Sequence, residues 1–172
     1  LAGRDELRRR LDVAIGRVRI GNPAKSVILV GLRGVGKTVL LEQMRQDADR
    51  SGVHTLRLEA PENRSLPALL SPQLRLALLR LSTVENAKAL AQRGLRALAG
   101  FAKALKLKYD DIEVGIDLEP EQGLADNGDL EGDLTTLLEQ VGLAAKQAQT
   151  AIVLFIDELQ YVEEDQLAAL IT

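Results

Sequence analysis

Cysteine is absent from the 172 residues. That excludes disulfide scaffolds, thiolate metal sites and cysteine nucleophiles together, and it agrees with a reducing cytoplasm. A single histidine, His54, cannot build a histidine-based metal centre. Aromatic side chains are scarce: Phe101, Tyr109, Phe155 and Tyr161 are all there are. So few rings argue against a base-stacking platform for single-stranded nucleic acid. No apolar run approaches the ~18 residues of a membrane span, and no signal peptide is expected from the charged pattern at the start. The first residue is Leu1 rather than Met, so a trimmed start is expected. The net charge of −3 gives no general attraction to nucleic acid. A chain of this length buries roughly two thirds of its unfolded surface and needs no covalent staple. What remains open is phosphate chemistry, which uses backbone amides, lysine, hydroxyls and carboxylates.

Apolar spacing predicts a helix over residues 4–19, ended by Gly21-Asn22-Pro23. Ser26-Val27-Ile28-Leu29-Val30 is a short β-branched run, the pattern of a strand buried on both faces of a parallel sheet. A helix is predicted over 37–50, a strand over 53–59, and two helices within 65–105 broken near Leu81-Ser82-Thr83. Residues 105–118 alternate around Asp110-Asp111 and predict a β-hairpin. The acidic stretch 119–128 reads as a mobile loop, followed by a helix over 129–149. Ala151-Ile152-Val153-Leu154-Phe155-Ile156 is the most apolar strand candidate, and a last helix starts near Glu164. Strands alternating with helices imply a parallel α/β sheet.

Between the first predicted strand and its helix lies Gly31-Leu32-Arg33-Gly34-Val35-Gly36-Lys37-Thr38. This is G-x-x-x-x-G-K-[ST] in the strand–turn–helix context that the motif needs. Its glycines permit positive φ and close approach of backbone to a phosphate. Successive amides then converge as an anion nest, and the helix start adds its positive dipole end. Lys37 brings a full charge to the β- and γ-phosphates, and the Thr38 hydroxyl suits Mg²⁺. The expected nucleotide-binding set is Gly31, Leu32, Arg33, Gly34, Val35, Gly36, Lys37, Thr38 and the adjoining Val39.

The second part of the constellation is Phe155-Ile156-Asp157-Glu158. A hydrophobic strand would deliver Asp157 to the carboxyl edge of the sheet, where open α/β sheets bind ligands. Asp157 can hold Mg²⁺ through its water shell, and Glu158 is placed to polarise an attacking water. Together with the glycine loop this is the Walker B arrangement of a hydrolysing P-loop ATPase, with Glu158 and Lys37 as its catalytic pair.

Leu1-Ala2-Gly3-Arg4-Asp5-Glu6-Leu7, the glycine loop and Phe155-Ile156-Asp157-Glu158-Leu159-Gln160-Tyr161 together resemble prokaryotic AAA+ and STAND-type ATPases related to origin-recognition initiators. The resemblance implies a P-loop NTPase fold: an ASCE-type, AAA+-like parallel sheet flanked by helices, with a helical and β-hairpin insert at about 65–118. It also implies ATP and Mg²⁺ as ligands and places Gly3 and Arg4 near the adenine. Such proteins carry a sensor strand, an arginine finger and a helical lid after Walker B, and here only about 14 residues follow Glu158. Their sensor strand lies between the P-loop and Walker B strands. The expectation is therefore a C-terminally truncated ATPase module, or one whose sheet is completed by self-association or a partner chain. Alone it should bind ATP weakly and hydrolyse it scarcely. DNA contact is expected only through a further C-terminal region, and the protein is expected in the cytoplasm, off the membrane.

Rival readings stay open. A nucleotide-gated switch, initiator-like or a signalling scaffold, would use ATP to set conformation with little turnover. A P-loop kinase is disfavoured by the Asp-Glu pair and the lack of an acceptor motif. An inactive structural fragment is the third. No N-K-x-D guanine-reading motif is present, which favours ATP over GTP. The arginines at 4, 8, 9, 10, 17 and 19 are diluted by Asp5, Glu6 and Asp12 and read as a solvated helix face. Gln160 either positions water or begins the next loop.

Overall fold

A computed structural model describes residues 4–107 and 118–171. Its elements are α1 (Arg4–Arg19), α2 (Lys37–Arg50), β1 (His54–Glu59), α3 (Leu66–Leu81), α4 (Lys88–Ala104), α5 (Leu130–Gln147), β2 (Ile152–Asp157) and α6 (Glu164–Ile171). Short 3₁₀ turns precede α4 and follow β2. Strands β1 and β2 pair in parallel, with His54 opposite Ile152 and Glu59 opposite Asp157.

The sheet pair separates two cores, because successive strand side chains point to opposite faces. Leu56 and Leu58 of β1, with Ile152, Leu154 and Ile156 of β2, face a large cluster built by α3, α4, α5 and α6. Val153 and Phe155 face a smaller cluster with Leu11, Ile15, Leu40, Met44 and Ala48 of α1 and α2. Helix starts follow local chemistry. Ser65 caps α3 by accepting from the Ala68 amide at 3.4 Å, and Asp129 caps α5 by accepting from the Gly132 amide at 2.9 Å. Both contacts satisfy amides that have no intrahelical partner.

Three sequence expectations meet a different outcome. Residues 26–30 are not a buried strand: they take up no ladder pairing, and Val30 is 91% exposed. A strand is stable only with a partner for its backbone groups. Strands β1 and β2 use each other, and no other strand lies among the described residues. Leu29 alone packs onto the α1–α2 cluster. The acidic loop 119–128 is pinned rather than free. Leu124 and Ala125 are buried, and the buried Asp133 carboxylate accepts from the Asn127 amide (3.0 Å), the Asn127 side chain (3.3 Å) and the Gly128 amide (2.7 Å). The break expected near Leu81-Ser82-Thr83 is where α3 ends, and a 3₁₀ turn over Glu85–Ala87 leads into α4 at Lys88. Of the hairpin expected over 105–118, residues 108–117 lie outside the described residues, and residues 105–107 form the turn that ends α4 rather than a strand, with the Leu107 amide donating to Ala102 O at 3.0 Å.

Candidate nucleotide site

The loop 31–36 leads into α2 through two glycines in the left-handed region, Gly34 at φ 83° and Gly36 at φ 85°. A side chain is strained at such φ, which is why glycine stands at both positions. No side chain caps α2, and its first turn holds no acidic residue. Among the described residues, the first backbone N–H after Gly31 with a main-chain acceptor is that of Leu40, which bonds Gly36 O at 3.0 Å. The preceding amides are therefore unspent donors in an exposed loop. Helix ends normally satisfy such donors by caps, water or a ligand. The Lys37 ammonium folds back to donate to Gly31 O at 2.8 Å and Leu32 O at 2.9 Å. Thr38 and Val39 are exposed at the helix start, with Val39 at 55%. Arg33 is exposed on the loop.

Only residues 51–53 connect α2 to β1, and Met44, Ala48 and Val53 share a core with Phe155. Helix α2 thus runs back along the strands, opposite in direction to β1. Its 14 residues rise ~21 Å, close to the ~20 Å of the six-residue β1. Glu59 and Asp157 stand side by side in the register, at the carboxyl ends of β1 and β2. Among the described residues, Lys37 and Thr38 make no hydrogen bond or ion pair with Asp157 or Glu158.

Asp157 ends β2, and its Oδ1 accepts from the Glu158 amide at 3.0 Å. Glu158 is left-handed at φ 58°, ψ 38°, a conformation that costs a non-glycine residue ~1 kcal/mol or more and tends to occur at functional sites. Its carbonyl accepts from the Tyr161 amide at 3.0 Å, and its carboxylate accepts from the Gln160 side-chain amide. Gln160 thus has a definite partner, which the sequence left open. Glu59 went unnoticed in the sequence. Its only signal was its place as last residue of a predicted strand, since register with β2 is a tertiary fact.

Arg4 opens α1 and reaches the loop. Its Nη2 donates to Val35 O at 3.0 Å. Gly3, which the resemblance sets beside the adenine, lies outside the described residues. Further along, Arg8 pairs with Asp47 at 2.7 Å and fastens α1 to α2. The Arg8 hydrogen bond and charge lower the Asp47 pKa. Glu42, bonded by Arg45 and Gln46 with Arg57 nearby, is lowered to about 2.

A family model, described as AAA ATPase domain, matches residues 1–172. The chain belongs to the AAA ATPase domain family. Its parallel strand pair flanked by helices agrees with a P-loop domain of that family, whose chemistry is ATP binding and hydrolysis. Comparison with curated proteins and with solved structures finds no significant match. Among the described residues, no helix is long and apolar enough to cross a membrane.

Proposed function

We propose that the chain is an ATP-binding module in which the 31–39 loop holds the triphosphate and the Asp157–Glu158 pair completes a Mg²⁺-dependent hydrolysis site. The observation that carries this reading is the row of unspent amides between Gly31 and Leu40, shaped by Gly34 and Gly36 and ending on an uncapped helix start. Amides in that arrangement are donors matched to phosphate oxygens. Lys37 leaves its two loop carbonyls to neutralise the β- and γ-phosphates. Thr38 Oγ1 and the Asp157 carboxylate are the protein's oxygen ligands for Mg²⁺. Among the described residues there is no group of three or more His, Cys, Asp or Glu able to hold a metal, so the ion would take its other ligands from phosphate and water. Glu158 orients the attacking water, and catalysis is positioning plus electrostatics.

Turnover is coupled to conformational change or to remodelling of a partner. A partner strand, or a second copy of the chain, would complete the sheet. The free edge of β2 supports this, with a groove of about 230 Å³ bordered by Leu138, Val141, Ile152 and Leu154. A nucleotide-gated switch with little hydrolysis is the second reading, favoured by the Gln160 contact that occupies the Glu158 carboxylate.

Titration with ATP and Mg²⁺ tests the first reading. Lys37→Ala should weaken binding at least ~10-fold, whereas Glu158→Gln should keep binding and abolish turnover. Equal affinity in Lys37→Ala contradicts the site. Turnover unchanged in Glu158→Gln removes its role as base, and binding without turnover in the unaltered chain favours the switch.

A further inference from the structure

Arg4 touches the loop at one peptide unit and from one side. Its Nη2 donates to Val35 O at 3.0 Å, and the same nitrogen lies 2.8 Å from where a Cβ on Gly36 would stand. The guanidinium therefore lies against the Val35–Gly36 peptide. That peptide is trans, as are all those described. In a trans peptide the C=O and the following N–H point in opposite directions. With the Val35 carbonyl turned toward α1, the Gly36 N–H is turned away from it.

Little else fixes this orientation. Lys37 holds the carbonyls of Gly31 and Leu32, on the other arm of the loop. The Val35 side chain is half exposed. Gly36 can change the sign of φ at small cost, so the peptide on its amino side can rotate. Rotation would put a carbonyl oxygen where an amide donor stood, and a phosphate would meet repulsion in place of a hydrogen bond.

We infer that Arg4 is a positioning residue for the anion cradle: it holds the Val35 carbonyl toward α1 and so keeps the Gly36 amide available to phosphate. This rests on the nucleotide reading above. It also differs from the adenine contact that the sequence resemblance assigns to Arg4, because a base contact would affect base preference and leave inorganic polyphosphate alone.

The test follows amide and carbonyl NMR shifts of the full 172-residue chain titrated with tripolyphosphate, ATP and GTP, in the unaltered protein and in Arg4→Ala, Arg4→Lys and Lys37→Ala. The expected result is that Arg4→Ala weakens tripolyphosphate and ATP by the same factor, about 10-fold, and leaves the ATP-to-GTP ratio unchanged. Arg4→Lys, which keeps a donor, should recover part of the loss. The defect should persist at about 0.5 M salt, where a long-range charge effect is screened. Before any ligand is added, Arg4→Ala should shift the Val35 carbonyl carbon and the Gly36 amide nitrogen while α2 amides elsewhere stay in place. If tripolyphosphate binds through Lys37 and Arg4→Ala binds it equally well, the inference is overturned and the nucleotide reading stands. Loss of ATP affinity alone also overturns it, in favour of a base contact. An unaltered chain that binds no polyphosphate overturns both.

Discussion

On one face of the β1–β2 pair, helices α3, α4, α5 and α6 contribute to a cluster of 23 buried residues. On the other face α1 and α2 contribute five residues to a cluster of eight. The ion pairs found among the described residues are distributed the other way. Arg8–Asp47, Arg10–Glu6, Arg45–Glu42, Arg45–Asp49, Arg50–Asp47 and Arg57–Glu42 all belong to the α1, α2 and β1 side, against Arg93–Glu121 on the other. Apolar burial is the larger and less adjustable stabilisation, whereas exposed ion pairs contribute little each. One face is thus a packed platform, and the face that carries the glycine loop is lightly held. Segments that rearrange around ligands come from the low-stability end of a structure, and the candidate site lies there.

The sharpest way to break this comparison is to cut a large side chain from each core. Phe101 is fully buried in the α3–α6 cluster, and Phe101→Ala should cost ~3–5 kcal/mol of global stability in a urea melt. Ile15→Ala on α1 should cost about 2 kcal/mol. It should remove hydrogen-exchange protection from α1 while α4 and α5 keep theirs. Equal loss of protection on both faces would show a single cooperative unit instead.

Next in size is the buried Asp133 carboxylate. Asp133→Ala leaves the Asn127 and Gly128 amides without their acceptor and should cost about 2–3 kcal/mol, read by thermal melting. Proteolysis should then begin within residues 119–128, and a variant as resistant as the parent would show that the loop is held by Leu124 and Ala125 alone. Gly100→Ala should cost about 1–3 kcal/mol, because the added Cβ would lie 2.9 Å from the Leu124 carbonyl oxygen. Its effect should add to that of Asp133→Ala only if the two contacts are independent.

The smallest expected effect is acid sensitivity of the lightly held face. Glu42 titrates near 2 in the folded chain, against 4.5 as its ordinary value. A depressed carboxylate stabilises the fold above its unfolded pKa, and that contribution is lost as pH falls toward the folded value. Exchange protection of α2 should therefore weaken between about pH 4.5 and 2. Glu42→Gln should remove that part of the pH dependence, with α4 and α5 serving as the internal reference. A pH response shared equally by α4 and α5 would contradict the division into two faces.

Much of this architecture was legible in the sequence. Helix α1 and the starts of α2 and α6 fall where apolar period and Gly or Pro punctuation put them, and β2 carries the apolar run that ends in Asp157. These signals are local. The failures are tertiary. Residues 26–30 have strand composition, but a strand also requires a neighbour, and composition does not report one. The 119–128 loop looked free because Gly, Asn and Asp mark turns. What holds it is Asp133, a residue beyond the loop that reads as ordinary helix surface. The sequence offers Arg4 as one helix-face charge among several and, through the resemblance, as a neighbour of the adenine, whereas its bond to Val35 O joins residues far apart in the chain.

The most direct measurement of the central claim is the set of amide shifts that ATP with Mg²⁺ induces in the isotope-labelled chain, since NMR registers even millimolar affinity. The account predicts saturable shifts concentrated at Gly31 to Val39 with a second group at Asp157 and Glu158, both lost in Lys37→Ala. Shifts centred elsewhere, or a response identical in Lys37→Ala, would contradict it.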